Sequence, residues 1–140
     1  MQYRSLFFAS LVALLVVVGV SSCRKTIEVG NKPSLEFTSG PEYYLTTDST
    51  LVQDKRYTIS IKADRAEDLS PNRYFEVVRT YSGTPDSTVF EKFLEGSEEV
   101  SYAYTHTFTT LKKPGTERFT FTVKNSHGIV NQKILIFTVK

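Results

Sequence analysis

The sequence is poor in the residues that build catalytic and metal centres. Its 140 residues include one cysteine, two histidines and no tryptophan. One cysteine excludes a disulfide within the chain, and close-spaced zinc ligand sets are absent. No glycine-rich phosphate loop is present. Lys and Arg number 17 against 15 Asp and Glu, so the basic excess that nucleic-acid binding usually requires is missing. We expect no cofactor, no metal and no nucleic-acid partner.

Acidic residues are also absent from the first 22 positions, which carry one positive charge at Arg4. A nearly unbroken apolar run, Leu6 to Val18, is followed by small residues. This order predicts a secretory signal peptide over residues 1–22. The alternative is a membrane-spanning helix, but the run falls short of the roughly 20 apolar residues that such a helix needs.

The cysteine follows this leader directly, in Val20-Ser21-Ser22-Cys23. These four residues resemble the bacterial lipobox. The resemblance implies that the Cys23 thiol receives a diacylglycerol, that the leader is cut before it, and that the new amino group is acylated. Such acyl chains anchor firmly, at about 0.8 kcal/mol per buried methylene. In enteric bacteria an Asp after the cysteine retains lipoproteins in the inner membrane, so Arg24 favours the outer membrane.

Removing 22 of the 140 residues leaves 118, enough for one domain. We predict that residues 23–33 form the lipidated terminus and a short linker, and that residues 34–140 form the domain. Its dominant hydrophobic period is two, which is typical of half-buried strands. The predicted strands are Leu35–Phe37, Thr50–Val52, Tyr57–Ala63, Tyr74–Tyr81, Val89–Leu94, Tyr102–Phe108, Phe119–Lys124 and Ile129–Val139.

Seven or eight short strands separated by turn signals predict an all-β, antiparallel β-sandwich. The segment "PGTERFTFTVKNSHG", Pro114 to Gly128, resembles the hairpin of immunoglobulin-like domains of the polycystic-kidney-disease type. The layout of lipobox and one such domain resembles small lipoproteins common in Bacteroidetes. The missing cysteine pair and core tryptophan exclude the antibody-type subgroup.

Few residues are candidates for chemistry. His106 alternates in register with Tyr102, Tyr104 and Phe108, which predicts a histidine at the edge of an aromatic core. His127 falls in a predicted turn beside Ser126, without the base and acid partners of a catalytic triad. The acidic loop with Asp64, Glu67 and Asp68 lacks the ligand alternation of a calcium loop, so we expect a solvated surface there.

The best candidate partner surface lies on the last strand. Alternation assigns Leu135, Phe137 and Val139 to the core and turns Ile134 and Ile136 outward. Three explanations are open: a β-bulge near Lys133 that turns the isoleucines inward, a covering loop, or a docked partner. Tyr43 and Tyr44 are further candidates, since adjacent strand residues point to opposite faces and one of the two should lie outward.

These features favour a membrane-anchored, non-catalytic binding module in the cell envelope, whose partner is an unknown protein or glycan. The alternative is a structural accessory subunit of an outer-membrane or cell-surface complex. An enzyme is the third hypothesis, and the missing nucleophile and metal motifs argue against it.

Overall fold

The computed structural model describes residues 32–40 and 44–140. In these ranges the chain forms eight strands. Each predicted strand is confirmed to within about two residues at its ends, except that the strand predicted at Phe119–Lys124 begins four residues earlier, at Gly115. One 3-10 turn, Gly96–Glu99, follows the fifth strand. The strands are β1 (Ser34–Phe37), β2 (Ser49–Leu51), β3 (Arg56–Asp64), β4 (Asn72–Tyr81), β5 (Ser87–Phe93), β6 (Ser101–Thr109), β7 (Gly115–Asn125) and β8 (Val130–Val139).

The strands form two packed sheets. The smaller sheet has the order β1-β3-β6, and the larger has the order β2-β8-β7-β4-β5. All pairs are antiparallel except the short β2, which runs parallel to β8. In immunoglobulin terms, β3 and β6 take the places of strands B and E, while β8, β7, β4 and β5 take those of G, F, C and C′. The predicted immunoglobulin-like β-sandwich is therefore confirmed.

The core lies between the sheets because every second side chain of each long strand points inward. Leu135, Phe137 and Val139 are buried, as their alternation predicts. Full burial of a side chain of this kind contributes about 1.5–3 kcal/mol. The same inner layer includes Ile59, Ile61, Phe75, Val77, Phe119, Phe121 and Val123.

A tight turn connects β7 to β8 at the predicted position. The side-chain oxygen of Asn125 accepts hydrogen bonds from the backbone N–H groups of His127 (3.0 Å) and Ile129 (2.9 Å). Gly128 has φ +77°, a left-handed conformation that favours glycine. The turn thereby fixes His127 at the end of the larger sheet.

A buried ion pair closes the opposite end of the core. Glu117 is fully buried at the start of β7, and one of its carboxylate oxygens accepts two hydrogen bonds from Arg79, from Nε at 3.1 Å and from Nη2 at 2.5 Å. The other oxygen accepts the Leu111 N–H at 2.9 Å. The guanidinium also lies 5.6 and 5.4 Å from the ring centroids of Phe108 and Phe119. The carboxylate thus joins the β6–β7 connection to β4.

The predicted signal peptide, Cys23 and most of the linker lie outside the described residues, so those predictions stay predictions. In the part of the chain that the structure describes, no helix is long and apolar enough to cross a membrane.

Candidate functional site

The outer face of the larger sheet exposes the isoleucine pair. Ile134 and Ile136 are 48% and 43% exposed. They lie opposite Thr120 and Arg118 on β7, whose side chains share this outer face. The pairing of β7 with β8 runs from Gly115 to Lys124 without a register shift. The bulge explanation is therefore wrong. The exposure of both side chains also shows that no loop among the described residues covers them.

A shallow depression lies beside this pair. Its volume is about 330 Å³, and its lining includes Ile136 together with Thr80, Thr116 and Arg118. The neighbouring strand edge is partly closed, because the Asp48 carboxylate accepts the Ile136 N–H at 2.8 Å. A partner would therefore meet the side chains of the isoleucine pair on the sheet face, rather than unpaired backbone groups at a sheet edge.

The two tyrosine candidates do not join this surface. Tyr44 is half-buried, bridges to Thr58 of the smaller sheet, and its ring occupies the space that a side chain at Gly40 would need. Tyr43 lies outside the described residues. The structure therefore places Tyr44 apart from Ile134 and Ile136.

A second feature of the same outer face was missed by the sequence analysis. Tyr74 on β4 lies opposite Phe93 on β5 and Lys124 on β7. The two aromatic rings are 5.3 Å apart at 54°, and Phe93 is 76% exposed. They border a cleft of about 700 Å³ whose lining also includes Arg73, Glu91 and His127. The available signal was the spacing of Phe90 and Phe93, since residues three apart on a regular strand face opposite ways.

The phenol of Tyr74 is held in its neutral form. Its hydroxyl donates a hydrogen bond to Glu91 Oε2 at 2.9 Å. Local desolvation, this hydrogen bond and the charges of Glu76 and Glu91 raise the pKa of Tyr74 to about 12. The cleft therefore presents a fixed hydroxyl and a carboxylate beside two rings.

His127 takes part in a polar cluster that is not a catalytic triad. Its Nδ1 forms a 3.0 Å hydrogen bond with Ser70 Oγ and lies 3.8 Å from Asp68 Oδ2. In a triad, serine and carboxylate contact opposite ring nitrogens, whereas here both approach Nδ1. Ser70 is buried, and its N–H also donates to Asp68 Oδ1 at 2.9 Å. The cluster joins the loop before β4 to the β7–β8 turn.

The acidic-loop residues have separate partners. Asp64 pairs with Lys62 at 3.0 Å, whereas Asp68 accepts the Ser70 N–H. Ser70 thereby holds the pKa of the Asp68 carboxyl below its usual range. Across residues 32–40 and 44–140, no three His, Cys, Asp or Glu side chains come together as metal ligands would.

His106 lies at the edge of the aromatic core, as predicted. Its ring stacks on Tyr104 and Phe108, with centroids 6.0 and 6.1 Å away, and also contacts Phe119 at 5.6 Å. Its Nδ1 lies 3.2 Å from the Tyr104 hydroxyl. Burial, with a smaller contribution from the positive charge of Arg79, lowers the pKa of His106.

This lowered pKa predicts a loss of stability in mild acid. The unfolded chain, with an ordinary histidine pKa near 6.5, takes up the proton first, so stability is full above that pH and falls as pH drops toward the folded-state pKa. Denaturant unfolding at pH 7, 6 and 5 should show a smaller loss for His106→Gln than for the native chain. Equal losses in the two chains would contradict the assignment. The carboxyls with lowered pKa values titrate below this window.

Comparison with known proteins finds only distant structural likeness. No family model and no curated protein matches the chain. Among solved structures, a superoxide reductase (neelaredoxin) from Ignicoccus hospitalis aligns with TM-score 0.48 and 16% identity, covering 79% of this chain and 81% of that one. Murine CRIg gives 0.43 and 14%, covering 77% and 98%. A Listeria innocua β-glucosidase gives 0.46 and 11%, covering 76% of this chain and 16% of that one. These values carry no functional argument.

Proposed function

We propose that this chain is a non-catalytic binding module of the bacterial cell envelope, held in the outer membrane by a lipid on Cys23. The lipobox resemblance and the order of the N-terminal residues support the anchor. The immunoglobulin-like sandwich supports a role in presenting a surface, because its sheets and loops form a rigid scaffold for contacts. The partner is a protein that docks on the outer face of the larger sheet.

The exposed pair Ile134 and Ile136 carries this proposal. Both side chains lie on a regular strand, and each is nearly half exposed. Complete burial of an isoleucine contributes about 1.5–3 kcal/mol, so finishing the burial of both would strengthen binding appreciably. The depression beside Ile136 offers a place for a partner side chain, as anchor residues at protein interfaces usually fill pockets.

A double substitution, Ile134→Thr with Ile136→Thr, separates a docking face from a structural one. Threonine keeps the β-branched shape that strands favour and removes apolar surface. Because both native side chains are partly exposed and each surface substitution changes stability by about 0.5 kcal/mol, we expect the free energy of unfolding to change by no more than about 1 kcal/mol. Affinity purification of the tagged full chain from solubilised membranes of its own cells should lose a specific partner in the variant.

The matched control is Val100→Thr, because Val100 is exposed to a similar extent, 45%, but directly precedes β6, a strand of the smaller sheet. It should retain the partner. If the isoleucine variant recovers the same proteins as the native chain, the docking face is wrong. A large fall in its melting temperature would instead show that the isoleucines support the fold.

The same face also suits the second candidate function, a permanent structural subunit, because apolar cores are typical of permanent interfaces. Washing distinguishes the two roles. A permanent subunit keeps its partner in a fixed ratio through prolonged washing, whereas a reversible binding module loses it.

A further inference from the structure

We propose that the cleft bordered by Tyr74 and Phe93 binds a neutral glycan. This proposal deepens the envelope binding role and rests on it, but it concerns a different part of the molecule. The rings of Tyr74 and Phe93 form the aromatic floor of this cleft. The ligand class follows from this floor together with the fixed hydrogen-bonding groups around it and a nearly balanced charge.

The aromatic floor is accessible from solvent. Phe93 is the most exposed of the large apolar side chains in the described ranges, at 76%. Its ring is supported from one side by Tyr74 at 5.3 Å. A ring that is fixed by a neighbour and open to solvent offers a flat apolar surface, on which the C–H face of a pyranose can pack. A partner that covered this ring would remove apolar surface from water, which is favourable.

The polar groups around this floor match sugar hydroxyls. Glu91 can accept hydrogen bonds with the lone pairs that the Tyr74 hydroxyl leaves unused. Lys124 stands on the other side of Tyr74, and no carboxylate of the described chain lies within ion-pairing distance of its amine. Its three N–H donors are therefore available. His127 adds a side chain that is 64% exposed at the turn.

The charge balance favours a neutral sugar over an acidic one. Arg73, at the rim, is already paired with Glu99. Glu76 lies directly opposite Glu91 on the same face. The two negative charges of these carboxylates near the floor therefore face one available positive charge, that of Lys124. An acidic polysaccharide would meet like charge at these carboxylates, and like-charge contacts disfavour binding.

The cleft is separate from the isoleucine pair. Phe93 and Ile134 lie three strands apart and four residues apart along the strands, counted through Tyr74, Lys124 and Val130. Strand spacings of about 4.8 Å and rises of about 3.4 Å per residue place them roughly 20 Å apart. Substitutions at one site therefore leave the other intact, and the failure of one proposal is distinguishable from the failure of the other.

The test is affinity electrophoresis of the full chain, purified in detergent, through gels containing dextran, laminarin or yeast mannan, with alginate as the acidic polysaccharide. We expect retardation by at least one neutral glycan and none by alginate. Phe93→Ala should weaken the retarding interaction at least tenfold. Because the native ring is largely exposed, its removal should leave the melting temperature nearly unchanged.

Val89→Ala is the matched control, since Val89 is an exposed apolar residue of the same strand that lies outside the cleft. It should bind as the native chain does. Retardation by none of the neutral glycans, retardation by alginate alone, or equal binding by Phe93→Ala would overturn the proposal. None of these outcomes affects recovery of a protein partner through Ile134 and Ile136, which tests the envelope binding role itself.

Discussion

Replacing Glu117 with glutamine should lower the free energy of unfolding by about 3 kcal/mol, the lower end of the range for breaking a buried ion pair. The carboxylate is fully buried, whereas the Arg79 side chain is 23% exposed and recovers part of its hydration. Glutamine keeps the shape and can still accept the Leu111 N–H. The lost stability therefore reflects chiefly the Arg79 guanidinium, which loses its carboxylate but keeps the hydrogen bond from Nη2 to the Thr109 carbonyl oxygen at 3.0 Å. Equilibrium denaturation in urea, native against variant, checks it.

Glu36→Gln is the control for this substitution, because Glu36 is an exposed residue of β1. It should change stability by no more than about 0.5 kcal/mol. Arg79→Met and the double variant complete a cycle, in which neighbouring charged groups should show a coupling energy of about 0.5–3 kcal/mol. Additive losses, or a Glu117→Gln loss no greater than that of the control, would mean that the pair contributes little to the fold.

Replacing Cys23 with serine should leave the protein without its lipid, in an unprocessed or unanchored form. A serine hydroxyl is not the thiol that the lipid-transfer reaction requires, so neither diacylglycerol attachment nor the cleavage that follows it should occur. Each methylene of an acyl chain contributes about 0.8 kcal/mol to anchoring, so without the acyl chains any membrane association that remains is that of the uncut apolar leader. Fractionation, with the intact mass of the recovered protein, measures the change.

Ser22→Ala serves as its control, since alanine keeps a small residue before the cysteine. It should be lipidated and cleaved as the native chain is. A Cys23→Ser protein that is still processed and still sediments with membranes would show that the lipobox interpretation is wrong.

Local alternation was enough to predict the strands and the core faces of the longest ones. In β8, Leu135, Phe137 and Val139 face inward because one continuous, bulge-free pairing maintains the two-residue period along the strand. The turn at Asn125 to Gly128 was predictable for a similar reason, since its side-chain hydrogen bonds and left-handed glycine are local chemistry.

The cleft and the buried ion pair depend on contacts between distant segments. A register shift between Val77 and Val78 leaves Val89 as an extra residue on β5, and the pairing beyond it sets Phe93 beside Tyr74. Sequence periodicity cannot specify which strands are neighbours. The Ser70–His127 hydrogen bond, which joins residues 57 positions apart, was out of reach for the same reason.

The most direct test of the binding role is site-specific photo-crosslinking in living cells. A photoreactive phenylalanine analogue would replace Ile134 in one chain and Thr107 in another, because Thr107 is exposed on the outer face of the smaller sheet. We predict one discrete adduct to an envelope protein from position 134 and none from position 107. No adduct from position 134, or the same adducts from both positions, would contradict the account.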